Sequence, residues 1–134
     1  MNTDHRRGRS VVCSLHVHLV FVTKYRRDVL SDRAREVLYD AFLGVCDEFG
    51  ARLKEANGED DHVHLLIEYL PTVQLSKLVN SLKGVSSRLL RQRDFPEVTR
   101  KLWGGHLWSP SYFAASCGGA PLKIVKQYIE RQRQ

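Results

Sequence analysis

Two histidine pairs stand out as side chains able to do chemistry, His16-Val17-His18 and His62-Val63-His64. On a strand, residues i and i+2 point to one face with Cα atoms about 6 to 7 Å apart. Two such rings can converge on one ion at roughly 2.1 Å from each nitrogen. The spacing permits a metal site without demanding one, since a bare H-x-H equally suits histidines lining a sheet face. The cysteines Cys13, Cys46 and Cys117 are odd in number and widely spaced, with no C-x-x-C pair to suggest a zinc ribbon or redox centre. They read as reduced, mostly buried thiols of a cytoplasmic protein.

The elements that must position these groups come from one small domain. With 134 residues and 43% hydrophobic content, the chain can bury one core, and residues 1–134 read as a single domain. The opening MNTDHRRGRS is polar and basic, and no apolar run approaches the roughly 20 residues of a membrane span. Secretion and membrane insertion are not expected. Residues 11–23, VVCSLHVHLVFVT, predict a long strand rich in β-branched residues. Residues 31–49 predict a helix capped by Ser31, with Ala34, Val37, Leu38, Ala41, Phe42, Val45, Cys46 and Phe49 on one stripe and Gly50 as its stop. Strands near 51–56 and 62–69 follow, joined through Asn57-Gly58, which suits the positive φ angles of a tight hairpin.

A second amphipathic helix is expected after Pro71, burying Leu75, Leu78, Val79, Leu82, Val85 and Leu89. A fourth strand lies within 107–117, where Pro110 favours a sheet edge. Gly118 and Gly119 break the chain, and Pro121 opens a final helix running to about Arg131. The order β-α-β-β-α-β-α specifies an α+β class: a ferredoxin-like antiparallel sheet with helices on one face, extended by a C-terminal helix.

Strand alternation then assigns the chemistry to a face. Cys13, Leu15, Val17, Leu19 and Phe21 point one way in the first strand, with Ser14, His16 and His18 opposite. In the third, Val63, Leu65 and Ile67 oppose His62, His64 and Glu68. First and third strands are central neighbours in such a sheet, so the histidines meet on its open face. The net charge of +6, from 21 Lys and Arg against 15 Asp and Glu, favours a polyanionic partner. The cations collect in His5 to Arg9, in Lys24-Tyr25-Arg26-Arg27, along Lys77 to Arg93 and in the last twelve residues.

Asp61-His62-Val63-His64-Leu65-Leu66 closely resembles the HUH motif of the single-tyrosine transposases carried by the smallest bacterial insertion sequences. The likeness covers nearly the whole chain. His18-Leu19-Val20-Phe21-Val22-Thr23-Lys24-Tyr25-Arg26 is similar to that family's first strand, Leu107-Trp108-Ser109-Pro110-Ser111-Tyr112-Phe113 to its late strand, and Tyr128-Ile129-Glu130-Arg131-Gln132 to its catalytic helix. Departures are Asp60, where the family pattern has proline, and the doubled Gly118-Gly119.

The resemblance implies that Tyr128 attacks a DNA phosphorus to give a 5′-phosphotyrosine and a free 3′-hydroxyl. His62 and His64 would hold a divalent metal, Mg²⁺ or Mn²⁺, with Gln132 as third ligand one helical turn beyond the tyrosine. His16 and His18 lack the flanking aspartate and are expected to line the DNA-facing sheet rather than ligate. The resemblance further implies a homodimer in which the tyrosine helix of one subunit completes the histidine site of the other. It implies single-stranded DNA hairpins as partner, bound through Lys24, Arg26, Arg27, Lys77, Lys83, Arg88 and Arg91. Trp103, Trp108 or Tyr112 would either stack on a base or belong to the core. Taken alone, Tyr128 also suits a surface tyrosine packed beside Val125 and Ile129. The alternatives are a non-enzymatic hairpin-binding protein of the same fold, a metal-dependent phosphohydrolase using activated water, and a domesticated repeat-associated transposase.

Overall fold

The computed structural model of the chain describes residues 14–102, 105–116 and 122–132, with side chains in the last stretch described from Gln127 onward. Cys13, Trp103, Cys117, Gly118, Gly119, Pro121 and the His5 to Arg9 cluster lie outside the described residues, as does the side chain of Val125. The chain runs through β1 (Leu15–Val22), a 3-10 turn (Lys24–Arg26), α1 (Asp32–Glu48), β2 (Arg52–Gly58), β3 (His62–Tyr69), α2 (Leu75–Arg93), the short α3 (Pro96–Thr99), β4 (Phe113–Ser116) and α4 (Leu122–Arg131). The strands form one antiparallel sheet in the order β2-β3-β1-β4. This is the expected ferredoxin-like α+β arrangement. Among the described residues no helix is long and apolar enough to cross a membrane.

The central pair β1 and β3 divides its side chains by strict alternation. Val17, Leu19 and Phe21 with Val63, Leu65 and Ile67 are buried on one face, where α1 contributes Ala34, Leu38, Phe42, Val45 and Cys46. Helix α1 starts where expected because the Ser31 side chain accepts a hydrogen bond from the Ala34 amide. Glu97 of α3, an element with no signal in the sequence, accepts from Ser31 and Arg33 and ties that helix start to the far end of α2. Gly50 follows α1 with φ 68°, a left-handed angle that a side chain rarely adopts.

Two expectations change. On α2 the buried row is Leu78, Leu82, Ser86 and Leu90, with Val79 beside it. Leu90 takes the core position assigned to Leu89, which is half-buried. The row steps by four residues and admits a polar member because Ser86 accepts a hydrogen bond from the indole nitrogen of Trp108 at 3.1 Å. The hairpin also runs further than Asn57-Gly58 suggested. Those residues are the last of β2, paired with His64 and Val63, and the turn is 59–61, closed by the Glu59 amide donating to the His62 carbonyl. Gly58 is required by close approach: a Cβ there would stand 2.4 Å from the His62 carbonyl oxygen and 2.9 Å from the Val63 Cα.

On the opposite face α4 covers part of the sheet. Its Ile129 is buried against Val20 and Val22 of β1, with Phe113 and Tyr128 packed around them.

Replacing Gly58 with alanine forces backbone apart at the start of β3 and is expected to destabilise the protein by about 1–3 kcal/mol in urea denaturation. Gly44→Ala, inside α1 with nothing near the added methyl, serves as its opposite and should stabilise by about 0.5–1 kcal/mol. Burial pushes the Cys46 thiol up to about 11, so at pH 8 it should react with a thiol reagent only on unfolding, read by peptide mass spectrometry.

Candidate active site

Pairing of β1 with β3 sets Val22 opposite His62 and Val20 opposite His64. Both imidazoles rise on the α4 side of the sheet, their ring centroids 4.9 Å apart. His62 is fixed by its neighbour: Nδ1 lies 2.7 Å from Asp61 Oδ1. A carboxylate at that distance favours the tautomer whose Nδ1–H donates to it, which leaves the Nε2 lone pair free to meet a cation. His64 is half-buried, and its pKa is pushed down to about 4, first by burial and then by the charges of His62 and His18. At neutral pH it is an uncharged ring able to act as a ligand.

Asp61 is itself held. Burial works to raise its pKa, but hydrogen bonds from His62 and Arg26 outweigh that and keep the carboxyl below its usual range. Arg26 donates from Nε to Asp61 Oδ2 at 2.7 Å and lies 3.5 Å from Glu130 of α4. This contact exists because Tyr25 and Arg26 both adopt left-handed backbone angles, with φ of 60° and 56°, and turn the arginine back over β3.

The tyrosine side of the site is built from the segment before β4. The amide of Lys24 donates to the Leu107 carbonyl and that of Ser109 to the Val22 carbonyl, so 107–109 run beside the end of β1. Ser109 Oγ then donates to Gln132 Oε1 at 2.6 Å, and Ser111 Oγ lies 3.0 Å from the Tyr128 hydroxyl. Burial raises the Tyr128 phenol above its ordinary pKa, with the Ser111 hydrogen bond opposing. Lys83 braces this segment from below, donating from Nζ to the carbonyls of Ser109 at 2.7 Å and Ser111 at 3.3 Å. Burial lowers the pKa of its ammonium.

Tyr128 and Gln132 therefore stand on one side of the Val20 and Val22 row and the two histidines on the other, all on one face. Among the described residues no hydrogen bond or ring contact joins either of the first two to His62 or His64, and no three His, Cys, Asp or Glu cluster as a metal cage. The groups here that could hold a divalent cation are the two imidazoles, with the amide oxygen of Gln132 on the other side of the row. His18 stacks on His64 with centroids 5.5 Å apart, and His16 faces Glu68 at 3.9 Å. Glu68 is occupied by Ser14 at 2.8 Å and by Lys54 at 3.9 Å.

Of the cations expected to face a polyanion, Lys77, Arg88 and Arg91 are exposed on α2. Arg88 and Arg91 line an open groove of about 460 Å³ with Ser87, Gln92 and the glycines Gly84 and Gly105. Arg91 donates to the Gly105 carbonyl, and Arg27 to that of Lys101 at 2.9 Å. Trp108 is a core residue, 7% exposed, and Tyr112 is half-buried against Phe21. Sequence reasoning missed Ser109, Ser111 and the positioning contacts of Arg26 and Lys83. The only signal for the serines was their place in the Leu107 to Phe113 run.

Residues 11–132 match the family model described as "Transposase IS200 like". The chain is 33% identical to the ISDra2 transposase TnpA of Deinococcus radiodurans over 96% of this chain and 91% of that protein. It is 30% identical to the transposase for insertion sequence element IS200 of Salmonella typhimurium over 86% and 74%. A Deinococcus radiodurans crystal structure assigned to a transposase superposes with a TM-score of 0.84 at 35% identity, covering 95% of this chain and 97% of that one. A REP-associated tyrosine transposase bound to a REP hairpin shares the fold, with a TM-score of 0.58 at 11% identity over 93% and 68%. With residues 11–132 matched by the family model and most of its length by relatives of this kind, the chain belongs to the IS200-like transposases.

Proposed function

We propose that this transposase cuts and rejoins single-stranded DNA at the ends of an insertion sequence through a phosphotyrosine at Tyr128. The observation that carries the reading is the presence on one sheet face of a held tyrosine, two imidazoles and an amide oxygen. Tyr128 Oη attacks the phosphorus, the bond from phosphorus to the 3′ oxygen breaks, and that oxygen leaves as a hydroxyl after taking a proton. The 5′ phosphate stays on the tyrosine, so a 3′-hydroxyl from another end can reverse the reaction without a nucleotide cofactor. The phenol loses its proton as it attacks, and Ser111 is the group that touches it.

His62, His64 and Gln132 would hold Mg²⁺ or Mn²⁺, whose chemistry there is to neutralise charge on the scissile phosphate. Asp61 orients His62 for that purpose. Arg26 and Lys83 act through Asp61 and through the serine segment. Lys24, Arg27, Lys77, Arg88 and Arg91 supply phosphate contacts to a DNA hairpin, the kind of partner to which a tyrosine transposase of the same fold is bound. The protein works as a cytoplasmic homodimer. The described side chains of α4 hold the sheet through a small apolar patch around Ile129, which the same helix of a second copy can occupy equally well.

The deciding experiment incubates labelled hairpin DNA with Mg²⁺ and looks for DNA-shifted protein. Tyr128→Phe is expected to give none, and His62→Ala or His64→Ala to lose cleavage by at least about a hundredfold while keeping hairpin affinity. Mixing Tyr128→Phe with His62→Ala should restore cleavage, with the DNA on the subunit that kept Tyr128. Inactivity despite subunit exchange would place both halves of the site in one chain, and a cut without attached protein would indicate attack by water. Salt titrations separate the two kinds of cation. Arg88→Ala should lower the slope of log K against log[salt] by roughly 0.7 to 0.9, whereas Lys83→Met should leave the slope unchanged and slow cleavage.

A further inference from the structure

The 3-10 turn after β1 holds a side chain that none of these roles uses. Tyr25 is 54% exposed, makes no side-chain hydrogen bond among the described residues, and sits at φ 60°, ψ 17°, an angle that favours glycine or asparagine. Its neighbour Arg26 is left-handed as well, and two consecutive residues of this kind need outside support. Support is present on both sides: Arg26 N–H donates to the Thr23 carbonyl, Lys24 N–H to that of Leu107, and Thr23 Oγ1 to that of Arg27 at 2.6 Å. The fold thus fixes a turn that presents an aromatic ring to solvent. Cations lie over that ring, Lys24 Nζ 5.5 Å and Arg27 Cζ 5.1 Å from its centroid. A half-exposed aromatic ring with cations over it is an arrangement on which an unpaired base stacks by displacing a cation from the ring to its phosphate. Its place is equally specific, because the next residue reaches Asp61 and Asp61 reaches His62.

We propose that Tyr25 is the stacking platform for one unpaired base beside the bond that is cut. This rests on the single-strand cleavage reading above and adds the residue that seats the DNA next to the histidines. Stacking is indifferent to base identity, so the platform fixes where the strand lies rather than which sequence is chosen. Lys24 and Arg27 hold the phosphates on either side of the seated nucleotide.

The test uses full-length Tyr128→Phe protein without added metal, so that nothing is cut. Hairpin DNA carries 5-iodouracil at one unpaired position at a time, and the photo-crosslinked peptide is sequenced by mass spectrometry. An adduct on Tyr25 from one or two adjacent positions is expected. Affinity for the same DNA should fall about tenfold in Tyr25→Asn, which the left-handed backbone accepts, and stay near wild type in Tyr25→Phe. Removing the base at the crosslinked position should weaken the unsubstituted protein and leave Tyr25→Asn unaffected. Crosslinks confined to other residues overturn the proposal, as does equal affinity of Tyr25→Asn, or a weaker affinity that accompanies loss of self-association. Should Tyr25→Asn fail to fold, the crosslink on the intact residue decides. A Tyr25 adduct here, with no DNA attached to Tyr128 when the unsubstituted protein is given Mg²⁺, would keep the platform and refute the cleavage reading, and the reverse pattern would do the opposite.

Discussion

Everything at the site depends on the antiparallel register between β1 and β3. Val22 stands opposite His62 and Val20 opposite His64, and a slip of one residue would turn both imidazoles into the core. The register is specified from the other face, where Val17, Leu19 and Phe21 interleave with Val63, Leu65 and Ile67 under α1 and α2. Apolar packing on one side of the sheet therefore sets the position of polar chemistry on the other. Gly58 adds a second constraint at the entry to β3, since the strands approach too closely there for any side chain.

Around this pair the site is assembled by contacts between segments distant in sequence. Asp61 and Arg26 join the β2–β3 turn to the turn after β1, while Lys83 of α2 supports the carbonyls of Ser109 and Ser111. A helix that presents Lys77, Arg88 and Arg91 to solvent thus also holds the segment that touches Tyr128 and Gln132. An uncharged ring at His64, a carboxyl held below its usual range at Asp61 and a phenol held above its ordinary pKa at Tyr128 form a consistent set near pH 7.

The parts of the fold legible in the sequence were those with a strong period. Alternation in β1 and β3 gave the faces and placed the histidines, and the stripe of α1 with its Ser31 cap gave that helix to within a residue at each end. The hairpin was misread because Asn57-Gly58 is a turn signal by composition, whereas here the glycine answers a steric demand inside the ladder. The Leu89 position was misread because a period of 3.6 leaves adjacent leucines ambiguous until packing selects one. Nothing in Tyr25 or Arg26 announces a left-handed backbone, and four residues of α3 are too few to show a period. The serines that touch Tyr128 and Gln132 were invisible as chemistry, since a hydroxyl near a proline reads as a loop.

The attachment of α4 bears on how such a small enzyme can exchange one DNA end for another. Through its described side chains the helix is held by one buried isoleucine, the Tyr128 ring on Phe113, hydrogen bonds to two serines and the Glu130 ion pair with Arg26. Burial of a side chain of that size is worth about 1.5–3 kcal/mol, well below the roughly 5–15 kcal/mol that holds a typical domain together. Opening of these contacts is a local event with its own free energy, separable from unfolding of the sheet. Tyr128 thus sits on a helix attached through few described side chains, and the histidines sit on β3 in the middle of the sheet. Thermal motion alone can shift Tyr128 while the histidines stay fixed in the sheet.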